Sequence, residues 1–153
     1  MSLTLVEQDL FDVPADTRII TINLVGAMGA GVARTARNTI PGLHKHYRKM
    51  YKDIEPGNII AYKHEDIRYL LVPTKIDWRD PSPRSLVIHH INKLAVLASR
   101  HRLGRIVLPP LGCGHGGLSW EDDIQYVYRA IYPFIEADIT VALGDSRRHN
   151  GRS

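Results

Sequence analysis

Apolar residues along the chain fall into short β-branched runs separated by stretches of helical periodicity. Leu3–Glu7 (LTLVE) and Arg18–Ile22 (RIITI) are brief and bounded by turn-forming residues, which predicts two strands. Gly29–Ile40 opens on small residues and predicts a helix. Pro41 is placed to open a second helix, GLHKHYRKMY, at its first turn. Pro56-Gly57 marks a turn. Asn58–Tyr62 and Arg68–Pro73 predict two strands joined at His64-Glu65-Asp66. Across Ser85–Arg102 the residues Val87, Ile91, Leu94, Ala95 and Ala98 share one helical face. Ser82 or Ser85 is placed to cap that helix, and Gly104 to end it. Arg105–Pro109 (RIVLP) is too apolar for a half-exposed strand and is expected at the centre of a sheet. Ser119 with Asp122 forms a capping-box start for a helix carrying Ile124, Val127, Tyr128 and Ile131, which Pro133 kinks or ends. Asp138–Leu143 (DITVAL) predicts a last strand. Strands interleaved with helices imply a sheet covered on both faces, with ligands bound outside the carboxyl ends of its strands.

Two glycine-rich segments follow predicted strands and so fall at that edge. The first is Gly26-Ala27-Met28-Gly29-Ala30-Gly31-Val32-Ala33, ahead of a helix. Glycine permits close backbone approach, and a helix start offers free N–H groups to a phosphate. The residues match neither the dinucleotide fingerprint G-x-G-x-x-G nor a P-loop, which needs Gly-Lys-Ser/Thr. A tight turn packed with small residues explains the segment equally well. The second segment, Pro109-Pro110-Leu111-Gly112-Cys113-Gly114-His115-Gly116-Gly117-Leu118, has four glycines in six residues. Such a run costs backbone entropy and is expected where something must come close; its amides could form an anion nest. Two such loops at one edge could grip a diphosphate.

Length sets one ordinary domain: 153 residues with 44% hydrophobic and 24% charged positions. No apolar run approaches the roughly 20 residues of a membrane span, and MSLTLVEQDLFD lacks the features of a signal peptide. The expectation is a cytoplasmic monomer with no membrane association. The lone cysteine, Cys113, fits a reducing compartment. The net charge of +4 favours a polyanionic partner, although much of the excess lies in 147–153, expected to be a disordered basic tail behind a domain at 1–146. No metal site is expected: His44 and His46 are two apart on a helix, His89 and His90 are adjacent, and no Cys/His spacing suits zinc.

Taken together, Ile22–Ala33, Val72-Pro73-Thr74-Lys75 with Trp78-Arg79, and Pro110–Trp120 resemble the macrodomain family, in order and over about Leu3 to Leu143. The resemblance is nearest to the DNA ADP-ribosyl glycohydrolase antitoxins, which remove ADP-ribose from thymidine in DNA. It implies a three-layer α/β/α fold with a mixed, mostly parallel sheet, and a hydrolase that binds ADP-ribose or ADP-ribosylated DNA and needs no cofactor. By match, Asp9, beside Leu10, bonds the adenine amino group and Asn23 faces the distal ribose. Gly29, Ala30, Gly31 and Val32 border that ribose and its phosphate. Leu111, Gly112, Cys113, Gly114, His115, Gly116 and Gly117 cradle the diphosphate, and Lys75, after Thr74, is the catalytic lysine.

The chain departs from the family's patterns at three points. Relatives acting on protein carboxylates pair the lysine with an aspartate at the position of Gly116, so this chain leans toward the DNA type. His115 stands where the DNA type is expected to have asparagine. The antitoxins carry a separate toxin-binding domain that is not found among these residues, and a stand-alone eraser is one reading of that difference. Alternatives implied by the wider family are an ADP-ribose reader without catalysis, an ADP-ribose 1″-phosphate phosphatase and a protein ADP-ribosyl hydrolase. Outside it stands a structural or regulatory nucleotide-binding protein, against which the paired loops argue. Lys75 could act as acid–base or as an amine nucleophile on the ring-opened sugar. Cys113 could be a thiolate or a small filler. Trp78 and Trp120 are core or cleft residues, and Trp78 beside Arg79 could stack a nucleic-acid base.

Overall fold

A computed structural model describes residues 2–144. The expected basic tail at 147–153 lies outside the described residues. The strands are β1 (Ser2–Val6), β2 (Thr17–Ile22), β3 (Ile60–His64), β4 (Ile67–Pro73), β5 (Arg105–Leu108) and β6 (Asp138–Ala142). The helices are α1 (Gly31–Thr39), α2 (Leu43–Met50), α3 (Arg84–Arg100) and α4 (Gln125–Ile131). They form one sheet in the order β1-β6-β5-β2-β4-β3. Only β3, at one edge, runs antiparallel to its neighbour. β5 is central, as its unbroken apolar run predicts.

Side chains of successive strand residues face opposite sides of the sheet. Ile19, Leu70, Val72, Ile106, Leu108 and Val141 pack with Val87, Ile91 and Tyr128 of α3 and α4. Ile20, Ile22, Leu71 and Val107 pack with Ala36, Leu43 and Tyr47 of α1 and α2. The fold is therefore the three-layer α/β/α arrangement with a mixed, mostly parallel sheet.

Several local expectations shift. α1 begins at Gly31, because Ala30 is extended and ends the loop (φ −150°, ψ 158°). α2 begins at Leu43, since Gly42 in a left-handed conformation (φ 79°) separates it from Pro41. Pro83, not Ser82 or Ser85, occupies the cap of α3, and no side chain caps it. The capping box at Ser119 is reciprocal, but its acid is Asp123. Ser119 Oγ accepts from Asp122 N at 3.1 Å, and Asp123 Oδ2 accepts from Ser119 N at 2.8 Å. One wide turn, Trp120–Ile124, separates this box from α4. Pro133 ends α4 in a tight turn over Tyr132–Phe134.

The register places the site. β2 pairs with β4 along six residues, but with β5 only at Thr17↔Ile106 and Arg18↔Val107. Beyond Arg18 and Val107 that ladder stops, and the chain leaves β2 and β5 toward opposite helical layers. A crevice at their carboxyl ends follows from this divergence.

Candidate functional site

A cleft of about 1140 Å³ occupies that crevice. Segments leaving the carboxyl ends of the five parallel strands contribute to it, including Asp9 and Leu10 after β1, Asn23 and Gly29–Ala33 after β2, Lys75 with Trp78–Ser82 after β4, and Leu143 and Gly144 after β6. Pro109, Pro110 and Gly112–Gly116 follow β5. Two residues expected at the ligand are not on this surface. Leu111 is fully buried in the core, and Gly117 lies outside the lining.

One buried tyrosine holds each glycine loop. Below the first loop, the Tyr47 hydroxyl of α2 accepts from Gly26 N at 3.1 Å and lies 2.8 Å from both Asn23 O and Asn23 Oδ1. Asn23 Nδ2 donates to Ala27 O at 2.7 Å. The amide is thus largely engaged in shaping the loop, and Asn23 also lines the cleft. Arg48 adds a bond to Gly26 O at 2.8 Å. Below the second loop, the Tyr128 hydroxyl of α4 donates to Pro109 O at 2.7 Å and accepts from Leu111 N at 2.9 Å. Burial raises the pKa of both phenols, Tyr47 to about 12, so neither hydroxyl ionises at neutral pH.

The first loop presents unsatisfied donors. α1 has no side-chain cap, which leaves first-turn amides at the cleft, where its dipole favours an anion. In the second loop a parallel bridge between Cys113 and Leu118 fixes the backbone, and Gly114 and His115 line the cleft beyond it. Space differs sharply among the glycines. A Cβ on Gly29 would meet nothing within 4 Å, whereas one on Gly112 (φ +78°) would lie 2.8 Å from Val87 and Leu118. A side chain at Gly112 would therefore press into the core, while one at Gly29 would enter open space of the cleft. A Cβ on Gly31 would touch the His115 ring at 3.3 Å, so the loops approach each other across the cleft.

Gly116 explains the absent aspartate. It is buried, its carbonyl accepts from Ser82 N at 2.8 Å, and a Cβ there would stand 2.5 Å from Ser82 Oγ. A side chain at 116 would first have to displace the Ser82 hydroxyl.

Asp9 is set by Arg18, whose buried guanidinium donates to Leu10 O (3.2 Å) and Val13 O (2.7 Å) and fixes the loop after β1. Asp9 Oδ1 accepts from Phe11 N at 3.0 Å. Lys75 is half-buried, and its Nζ donates to His115 O at 2.7 Å and Trp78 O at 3.2 Å. It thereby joins the segment after β4 to the second glycine loop. Thr74, buried before it, continues the β2 contact through Thr74 N to Ile22 O at 3.0 Å. Burial, with Asp123 adding to it, pushes the Cys113 thiol up to about 12, which removes the thiolate role and leaves the filler role. Trp120 packs edge-on against Tyr128 (centroids 4.9 Å) and belongs to the core border, while Trp78 is exposed at the cleft. Among the described residues no group of His, Cys, Asp or Glu is placed to hold a metal, and no helix is long and apolar enough to cross a membrane.

Sequence reasoning missed Tyr47, Tyr128, Arg18 and Ser82 as makers of the site. Each acts through bonds to backbone distant in the chain, for which single positions give no signal.

The same arrangement is found in known proteins. The macrodomain of Thermus aquaticus DarG matches with a TM-score of 0.82 at 29% identity, covering 92% of this chain and 97% of that one. In sequence, 135 residues (84% of this chain) are 33% identical to the DNA ADP-ribosyl glycohydrolase of the same organism. This chain belongs to the macrodomain family. The macrodomain of Mycobacterium tuberculosis DarG matches with a TM-score of 0.83 at 26% identity, covering 93% of this chain and 97% of that one. Thermosipho africanus DarTG, solved in complex with ADP-ribose, matches with a TM-score of 0.83 at 26% identity, covering 92% of this chain and 41% of that one. This macrodomain spans less than half the length of the curated relatives it matches: 38% of the Thermus protein and 43% of the Mycobacterium tuberculosis one. No family model matches the chain.

Proposed function

We propose that this macrodomain binds ADP-ribose in the cleft and hydrolyses it from ADP-ribosylated DNA of the thymidine type, with Lys75 as the catalytic group. The observation that carries the reading is the placement of Lys75 Nζ, fixed by His115 O (2.7 Å) and Trp78 O (3.2 Å) where the two glycine loops meet. Relatives named as DNA ADP-ribosyl glycohydrolases support the substrate class. In this reading the adenine lies at Asp9 and the diphosphate between the uncapped start of α1 and the Gly114-His115 turn. The distal ribose then reaches the Lys75 end.

Cleavage at C1″ passes through an oxocarbenium-like state, and the departing base needs a proton. A lysine ammonium has three donors, of which two are engaged here, so one remains for the leaving group. Attack as an amine would require Nζ to leave both carbonyls first, and the geometry favours proton donation. The carboxylate-assisted route has no acid at Gly116.

Lys75→Ala should cut release of ADP-ribose from a modified single-stranded oligonucleotide by at least about 100-fold, the low end for losing an acid–base group. ADP-ribose affinity, read by calorimetry, should change less than roughly tenfold, because the lysine acts mainly in the transition state. Lys75→Arg should also fail, since arginine does not give up its proton. Near-normal turnover by Lys75→Ala overturns the lysine role. A wild type that binds ADP-ribose but releases none from modified DNA is instead a reader without this catalysis.

A further inference from the structure

Trp78 is 58% exposed at the mouth of the cleft, and Ile76 (45%) and Val25 (40%) are exposed beside it. The bond from Leu24 N to Ile76 O (2.9 Å) brings the two backbones carrying Val25 and Ile76 together. An apolar patch next to a cleft marks a contact surface more often than scattered exposed residues do.

The indole does not stand loose. Asp77 Oδ1 accepts from Arg79 N and Arg79 Nε, each at 3.0 Å, and Asp77 Oδ2 accepts from Arg79 Nη2 at 2.6 Å. This holds the guanidinium over the Trp78 ring, 5.8 Å from its centroid. An exposed ion pair adds little to fold stability, so the effect of three bonds within one short turn is to fix the guanidinium plane beside the ring. Trp78 O meanwhile accepts from Lys75 Nζ. The platform is thus one hydrogen bond from the group placed at the bond to be broken. With ADP-ribose inside the cleft, whatever lies across that bond emerges here.

We propose that Trp78 and Arg79 form a stacking platform for a base of single-stranded nucleic acid, and that this platform determines the substrate class of the cleft. The inference rests on the function proposed above. A flat ring with a flat cation fixed beside it matches a base, because every base offers a π-face. An acidic peptide would need an unpaired cation, and the Arg79 guanidinium is already engaged by Asp77.

The test combines binding and kinetics. The chain has two tryptophans, so quenching by unmodified oligothymidylate is measured for wild type and for Trp78→Phe. Saturable quenching in wild type that is lost in Trp78→Phe is expected; quenching that persists in Trp78→Phe overturns the platform. On a modified oligonucleotide, Trp78→Ala should raise KM roughly tenfold, within the range for one base–aromatic stack, and Trp78→Phe should recover most of it. ADP-ribose affinity should stay within about threefold in both. Unchanged KM in Trp78→Ala beside an active wild type overturns the inference and leaves the catalytic reading standing. An inactive wild type overturns the catalytic reading, while the quenching comparison still decides the platform. Equal quenching by an acidic peptide overturns the assignment to nucleic acid.

Discussion

Tyr128→Phe removes one oxygen atom and should disturb both stability and binding. The hydroxyl is fully buried and makes two bonds, to Pro109 O at 2.7 Å and from Leu111 N at 2.9 Å. Phenylalanine keeps the edge-on contacts with Trp120 (4.9 Å) and Tyr132 (5.1 Å), so packing is nearly conserved. What changes is that an amide and a carbonyl lose their partner in the interior. Each such group costs about 1–3 kcal/mol, and some relaxation is allowed, so a loss of about 2–4 kcal/mol is expected. The second glycine loop also loses its tether. Re-ordering one or two residues on binding should weaken ADP-ribose by roughly tenfold. Tyr132→Phe is the control, because its hydroxyl makes one bond, to Ile91 O at 3.1 Å, away from the loop. It should lose about 1 kcal/mol and bind normally. Urea unfolding gives the stabilities and calorimetry the affinities. If Tyr128→Phe unfolds at the same urea concentration as Tyr132→Phe and binds like wild type, the tyrosine does not hold the loop.

Two further outcomes are expected. Gly29→Val should leave urea stability within about 0.5 kcal/mol, as for a surface change, while greatly weakening ADP-ribose; Gly112→Ala should lower stability by more than about 2 kcal/mol through overpacking against Val87 and Leu118 and a strained positive φ, and the reverse ranking by denaturation would refute the assigned directions. Acid should destabilise the fold through His90, which bonds Pro56 O at 2.8 Å and whose pKa burial lowers from 6.5 to about 4, with His89 and Lys93 adding to the effect. Between those values the unfolded chain binds the extra proton, so stability falls as pH drops through the window, by up to about 1.4 kcal/mol per unit. His90→Gln should flatten that slope in urea titrations from pH 7 to pH 4, and an unchanged slope would exclude His90 as its source.

The strands and the two glycine loops were legible because their signals are local. Ile19 and Ile20, or Ile106 and Val107, alternate between two cores, and their apolar neighbours announce a sheet covered on both faces. The glycine runs announced themselves by composition. What governs the loops was hidden by distance: Tyr47 reaches back 24 residues to Asn23, and Tyr128 reaches 19 to Pro109. Tyr128 looked like a core residue on a helical face, and so it is, apart from one oxygen; Tyr47, equally buried, sat unmarked in a polar helix. Gly112 does line the cleft, but sequence gives no direction to its missing side chain; the space a Cβ would need is filled by Val87, on a helix far earlier in the chain. The cap of α3 was misplaced for a related reason. Ser82 has the composition of a cap, yet its N–H is bonded to Gly116 O and its Oγ is buried without a partner.

The contact between Ser82 and Gly116 also bears on how such a cleft could change its chemistry over time. A carboxylate introduced at 116 alone meets Ser82 Oγ at once and costs the fold before it can offer any new reactivity. Removing the serine side chain alone empties a small buried space and gains nothing. The pair is therefore strongly non-additive, with both single steps downhill and only the double change open to a new function. A lineage carrying Ser82 is kept from an acid at 116 by a neighbour's oxygen atom, so a route to one begins with the smaller of two losses, a shortening at 82.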